Sequence, residues 1–156
     1  MGKATIINYD LKEEKDTLFL DSDIIITGII DNIDTNKSLG VSPQFITQEH
    51  INKTGYYNGG VLWTNDKNVP LDWIEFTKKS RYFDQASIET LVQKYSYFEF
   101  GENYNLQCWR FIHAEKGHQY IISNITSKNN DTLYYKDKPL KFIHTHFLEE
   151  IFKLFN

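Results

Sequence analysis

The apolar positions of this chain fall into short blocks whose spacing predicts alternating helices and strands. Ala4, Ile7 and Leu11 lie at i, i+3 and i+7, one stripe of an opening helix, and Lys12 to Asp16 form its solvated end. The densest block follows, Thr17-Leu18-Phe19-Leu20, then Asp21-Ser22-Asp23, then Ile24-Ile25-Ile26. A continuous apolar run with little alternation predicts a strand covered on both faces, in the middle of a parallel sheet. Asp21 and Asp23 interrupt the run at a period of two, so both point to one side of an extended chain. Like charges in apolar surroundings need neutralising, and a hard divalent cation with oxygen ligands does so directly. The plainer reading is a turn, because Asp and Ser side chains bond their own backbone.

Beyond this block, Thr27 to Ile33 predicts a short helical turn and a polar loop runs to Gly40. Val41 to Ile46 predicts a strand that Pro43 keeps from the sheet centre. Gln48 to Tyr57, polar and glycine-containing, predicts a mobile loop with a solvent-facing His50. Asn58-Gly59-Gly60 leads into a strand through Asn65, and paired glycines let a ligand approach the backbone closely. Pro70 opens a helix with Asp72 near its positive end, Trp73, Phe76 and Thr77 on one face, and Lys78 and Lys79 closing it. Asp84 is placed to cap an amphipathic helix carrying Ile88, Leu91, Val92 and Tyr95. Tyr97–Phe100, Leu106–Ile112 and His118–Ser123 predict strands, and Asn129-Asn130-Asp131 a hairpin turn joining Ile125-Thr126 to Leu133-Tyr134-Tyr135. Pro139 leads a last strand, Leu140 to His146. A closing helix sets Phe147, Ile151, Leu154 and Phe155 on one face.

Composition narrows the classes. The 156 residues are 40% hydrophobic and 24% charged, which predicts one globular domain, residues 1–156, rather than a disordered chain. A net charge of −4 offers no basic field for nucleic acid. No apolar run is long enough to span a bilayer and no secretory leader follows Met1. The lone Cys108 excludes a disulfide framework and a multi-cysteine zinc site. These features predict a reduced, cytoplasmic protein, in which the acceptor patterns at Asn36, Asn52, Asn124 and Asn130 arise by chance in an Asn-rich sequence.

Three features recur in a telling order: "TLFLDSDIIITGIIDNI", then "YYNGGVLW", then "FDQASI", with His144 near the end of a late strand. In this the chain resembles the catalytic part of nucleotide-sugar glycosyltransferases of the GT-A type with a DxD motif, over roughly Lys3 to Phe147. The resemblance implies an α/β fold: a partial GT-A sheet, mixed and mostly parallel, flanked by helices, with a small C-terminal antiparallel hairpin. It implies a sugar transferred from a nucleotide diphosphate, UDP by default, to an acceptor, with Mn²⁺ or Mg²⁺. Asp21 and Asp23 would bind the metal and ribose, with His144 (or His146) as the further metal ligand. Asp21, Ser22, Asp23, Asn58, Gly59 and Gly60 would line the donor, and Asp84 and Gln85 would act at the sugar hydroxyls as the catalytic pair.

The pattern departs from that family in two ways. No Gly and Lys-Pro-Trp pattern follows the late histidine, which leaves the phosphate-binding lysine unassigned. Only 20 residues precede Asp21, where the family carries a base-binding segment. The second departure favours a homo-oligomer or association with a separate N-terminal half, and it motivates the alternative of a non-catalytic remnant that binds sugar or a partner protein. Paired carboxylates also serve hydrolytic two-metal enzymes, but the second acidic cluster expected there is missing. Glu49, Glu99 and Glu102 are the candidate bases.

Overall fold

The computed structural model describes residues 2–11, 15–108, 117–128, 132–146 and 149. The fold is mixed α/β and separates into two compact units. The first holds the chain to Asp21 and from Asn32 to Gly101. The second holds Ser22–Asp31 and the chain from Glu102 onward.

In the first unit, helix α1 (Gly2–Asp10) leads to strand β1 (Thr17–Leu20), followed after the excursion by β3 (Leu39–Pro43), α2 (Gln48–Thr54), β4 (Tyr57–Thr64), α3 (Asn68–Thr77), α4 (Ile88–Lys94) and β5 (Tyr97–Glu99). The sheet order is β1-β4-β3-β5. One face takes the helices. Ala4 and Ile7 of α1, Val69 and Trp73 of α3, and Ile88 and Leu91 of α4 close over Leu39, Val41 and Leu62. The i, i+3 and i, i+4 spacings within each helix are what make those stripes. Elsewhere in the unit Trp63 packs near Phe98, which packs near Phe100. Gly40 lies opposite Trp63 in the ladder, and a Cβ there would sit 2.6 Å from the Phe98 ring.

The second unit is built on two small sheets. Strand β2 (Ile24–Ile26) pairs antiparallel with β10 (Phe142–Thr145), which pairs parallel with β6 (Leu106–Cys108). Strands β7 (Ile125–Lys128), β8 (Thr132–Tyr135) and β9 (Lys138–Pro139) form an antiparallel meander. Lys136 and Asp137 turn the chain between β8 and β9 with φ of 49° and 63°, the consecutive left-handed pair of a tight hairpin. Ile121 and Ile122 of helix α5 (Gly117–Ser123) pack with Leu106, Cys108, Leu133 and Leu140 into the core.

Several expectations are corrected. Among the described residues the sheets are mostly antiparallel: β3 with β5 and β6 with β10 are the parallel pairs. Strand β1 is no central strand but the half-buried end of its sheet, antiparallel to β4. Apolar continuity reports that a strand is covered, not by what, and a short antiparallel end strand satisfies the same pattern. Ser22 and Asp23 lie in a turn, so the period-two argument for Asp21 and Asp23 does not apply. Thr27 to Ile33 forms no helix.

Strand β3 is interior despite Pro43, which is tolerated as its last residue, just past a register shift between Val41 and Ser42. Gln48–Thr54 is a helix capped by Thr47, whose Oγ1 accepts from His50 N, and His50 Nδ1 lies 2.8 Å from that oxygen on the exposed side. Asn58, Gly59 and Gly60 lie inside β4 rather than before it. Helix α4 starts after Ser87, so Asp84 does not cap it. His118–Ser123 lies in helix α5, because burying Ile121 and Ile122 together outweighs their strand preference. The hairpin of β7 with β8 stands as expected. Its turn residues 129–131, the end of the expected strand at 109–112, the charged stretch 12–14 and the closing helix at 147–148 and 150–156 lie outside the described residues.

Candidate functional site

In the second unit the carboxylate of Asp23 meets two imidazoles. His144 Nε2 lies 3.2 Å from Oδ1 and His146 Nε2 lies 2.9 Å from Oδ2. The local sequence dictates this. His144 and His146 are two apart at the end of β10 and so share a side, while Asp23 immediately precedes β2, whose Ile24 stands opposite His144. The amide of Thr145 donates to the Asp23 carbonyl at 3.0 Å, fixing the turn against the strand. The two histidines differ in setting: the His144 side chain is 4% exposed and that of His146 is 68% exposed. His144 Nδ1 lies 3.0 Å from Asn105 Oδ1. With Nδ1–H donated to that oxygen, the Nε2 lone pair of a neutral ring faces the carboxylate, one acceptor against another. Three states relieve that opposition: an imidazolium, a cation seated between the groups, or the other tautomer, in which Nε2–H donates to Asp23 and the Asn105 amide turns its nitrogen toward Nδ1.

The other end of the excursion repeats the device. Lys141, just before β10 and nearly buried, places Nζ 2.8 Å from Asp31 Oδ2, and the Tyr104 hydroxyl bonds the same residue. Thr27 ties the excursion to Leu140 and Lys141 through two hydrogen bonds. Gly28 passes so close that a Cβ would meet the Leu140 carbonyl oxygen at 2.8 Å.

In the first unit the remaining candidates gather round a residue that sequence reasoning missed. Lys3 Nζ lies 2.9 Å from Asp21 Oδ2, 3.9 Å from Asp84 Oδ2, and donates to the Gly59 carbonyl at 3.1 Å. It also sits 5.7 Å from the centre of the Phe19 ring. Gln85 Nε2 donates to the Thr54 carbonyl, its Oε1 faces the Gly59 amide at 3.4 Å, and Asn58 Oδ1 accepts from Gly60 N. The Asp21 amide donates to the Gly60 carbonyl. Asp84 is held by its own carbonyl, which accepts from Trp73 Nε1 and Ser87 Oγ. The one sequence signal for Lys3 is its position four residues before buried Ile7, at the border of the α1 stripe. Ser22 makes none of these contacts. Of the candidate bases, Glu99 accepts from the Tyr57 hydroxyl and Glu102 pairs with Lys136, while Glu49 lies in the first turn of α2.

The arrangement offers two chemistries. The Asp23 carboxylate with imidazole nitrogens is a donor set that suits a hard or borderline divalent cation. The Lys3 cluster sets an ammonium, a donor to phosphate oxygens, among two carboxylates and the Gly59 carbonyl, which accept from sugar hydroxyls.

No protein-family model and no curated protein sequence matches this chain. Its fold does match solved structures. The glycosyltransferase GlyE of Streptococcus pneumoniae TIGR4 superposes with a TM-score of 0.52 at 21% identity, over 88% of this chain and 36% of that one. The apo form of GlyE gives 0.57 at 21% identity, over 90% and 36%. An active-site mutant of LgtC gives 0.53 at 16% identity, over 91% and 61%. The chain therefore shares a fold with part of a known glycosyltransferase. It spans about a third of the length of GlyE and three-fifths of that of LgtC. No helix among the described residues is long and apolar enough to cross a membrane.

Proposed function

We propose that this chain binds a nucleotide-diphosphate sugar, UDP-linked by default, and serves in metal-dependent transfer of the sugar to an acceptor. The observation that carries the reading is the convergence of His144 and His146 on the Asp23 carboxylate. Asp23 and His144 would hold Mn²⁺ or Mg²⁺, with His146 as the exchangeable third group and Asp21 one residue removed along the chain. Asn105 orients His144 by holding Nδ1, the outer partner that ligating histidines characteristically have. The cation, when bound, neutralises charge developing on the diphosphate leaving group. Lys3 keeps Asp21 and Asp84 fixed, and Asp84 with Gln85 receives sugar hydroxyls beside the Asn58-Gly59-Gly60 backbone.

The test is turnover of UDP-hexoses with Mn²⁺, with calorimetry of Mn²⁺ and UDP binding alongside. Turnover that needs metal and disappears in Asp23→Ala supports the reading. Metal-independent turnover, or Mn²⁺ affinity unchanged in Asp23→Ala, rejects it. Weak UDP binding is expected, because contacts to diphosphate and metal dominate the set of residues named.

A second reading, a non-catalytic sugar- or partner-binding remnant, draws on the small share of GlyE that the chain spans. Binding of UDP and Mn²⁺ without turnover would favour it. Association with another chain has its own support: β1 ends its sheet, and a strand edge templates pairing. Sedimentation at micromolar concentration tests this. A stable monomer removes it.

A further inference from the structure

We propose that Phe83 is the stacking platform of an acceptor subsite, and that the acceptor is itself a sugar. This rests on the transferase reading, in which Asp84 and Gln85 receive sugar hydroxyls, and it adds the group that selects what arrives from solvent. Phe83, Asp84 and Gln85 all belong to the first unit.

Phe83 stands in the connection between α3 and α4, immediately before Asp84 and Gln85. It is 75% exposed, more than any other aromatic residue among the described residues. Its φ is +42°, in the left-handed region, which is strained for a bulky side chain. Neither feature stabilises the fold, because the ring buries little and glycine would hold the same turn without strain. The neighbours fix the turn all the same. The Arg81 guanidinium bonds both Glu89 carboxylate oxygens and, through Nε, the Asn52 carbonyl. The Tyr82 carbonyl accepts from Ala86 N, and the Asp84 carbonyl accepts from Trp73 Nε1 and Ser87 Oγ. The Tyr82 ring braces that of Phe83, edge to face, with centroids 5.1 Å apart and planes at 72°. Both flanks are tied down, and the ring between them is left in solvent.

The group next to the ring selects the ligand. The Asp84 carboxylate lies 3.9 Å from Lys3 Nζ, beyond hydrogen-bond distance, and accepts no hydrogen bond among the described residues. Its oxygens therefore stand ready to accept from hydroxyls. A pyranose is amphipathic in the matching way. It carries hydroxyls at its rim and carbon-bound hydrogens of slight positive charge on a face, which suit the negative face of an aromatic ring. A serine side chain lacks the apolar face, and an acyl chain lacks the hydroxyls. The alternative role, a turn residue whose ring has no ligand, predicts no sugar binding.

The test is saturation-transfer NMR on the intact chain without UDP or Mn²⁺. The probe is methyl β-galactopyranoside, whose carbon-bound hydrogens gather on one face, against the open-chain polyol galactitol. The glycoside should receive saturation and galactitol far less. Phe83→Leu keeps apolar bulk without a ring and should weaken binding about fivefold, while Phe83→Tyr and Phe83→Trp hold it within about twofold. Phe45→Ala is the control: Phe45 is also left-handed, with φ +52°, and 43% exposed, but no candidate residue flanks it, so binding should be unchanged. No transfer to the glycoside, equal transfer to galactitol, undiminished binding in Phe83→Leu, or an equal loss in Phe45→Ala overturns the proposal. Turnover separates the subsite from the transferase itself. Glycoside binding that is lost in Phe83→Leu, without turnover of any UDP-hexose, keeps the subsite and rejects the transferase. Wild-type turnover of glycoside acceptors by Phe83→Leu rejects the subsite and keeps the transferase.

Discussion

The two units handle polar groups in opposite ways. The first rests on a broad apolar interior, three helices on a four-stranded sheet, with its charges in partly exposed pairs. The second is smaller, and among its described residues it buries the basic side chains of Lys141 and His144. Each is met by an aspartate from the short excursion Ser22–Asp31: Asp31 at one end and Asp23 at the other. A buried ammonium is tolerated only when paired, so at Asp31 the excursion is held by electrostatics as well as by the β2–β10 ladder. Packing dominates the first unit, and the second adds to its own smaller apolar core a buried polar set tied to the aspartates of the excursion.

That contrast can be broken most forcefully at Trp73, fully buried and bonded through Nε1 to Asp84. Trp73→Ala should cost about 3–5 kcal/mol in urea unfolding, from the lost ring and the cavity left behind. A loss under about 1 kcal/mol would mean the helical face is not what stabilises the first unit.

In the second unit the difference between the histidines is the sharper probe. His144→Ala should lower Mn²⁺ affinity on the order of a hundredfold, and His146→Ala by about tenfold, because the buried ring is oriented by Asn105 and the exposed one is replaceable by water. Calorimetry reads both. Equal effects would deny the buried residue its special place.

Gly55 tests how far backbone shape, rather than burial, supports the first unit. Its φ is +101°, and a Cβ would lie 2.9 Å from Ala86 Cα. Gly55→Ala should destabilise by about 2 kcal/mol, through strain and steric contact together. Thermal unfolding that is unchanged would show the Thr54–Gly55 segment free to move.

The smallest effect concerns acid. Hydrogen bonds from Arg81 hold the Glu89 carboxyl below its usual range, and Lys94 and Tyr95 do the same for Asp72. A carboxyl lowered in the folded state contributes stability that is full above its ordinary value, near about 4, and lost as pH falls through the lower folded value. Arg81→Gln should therefore lower stability slightly at neutral pH and leave it unchanged in strong acid, so that its acid limb between about pH 5 and 3 is flatter than that of the wild type. An acid limb identical to wild type would remove Glu89 from the account.

Much of this was legible in the chain itself. The stripes Ala4–Ile7, Trp73–Phe76 and Ile88–Leu91 declared their helices, because helical periodicity is a local property. The β7–β8 hairpin followed from short-range signals as well. The family resemblance, carried by motif order, named Asp21, Asp23, Asn58, Gly59, Asp84, Gln85 and His144 as candidates, and the spacing of His144 and His146 put that pair on one side of a strand.

Tertiary structure decided the rest. Strand direction is set by where partners come from, so the same apolar run that suits a parallel sheet became an antiparallel end strand at β1. His118–Ser123 became a helix because two isoleucines found a common core. Pro43 entered an interior strand because a bulge had already broken the register. Lys3 was invisible as a site residue, since nothing in a helix stripe says which carboxylates, distant in sequence, will meet its ammonium. Asp21 and Asp23, one residue apart, were parted in their partners by a turn, one to a lysine and one to two histidines. Sequence writes the local periods. Only the closed fold chooses which far-separated groups come within a few ångströms, because that choice depends on the packing of every element at once.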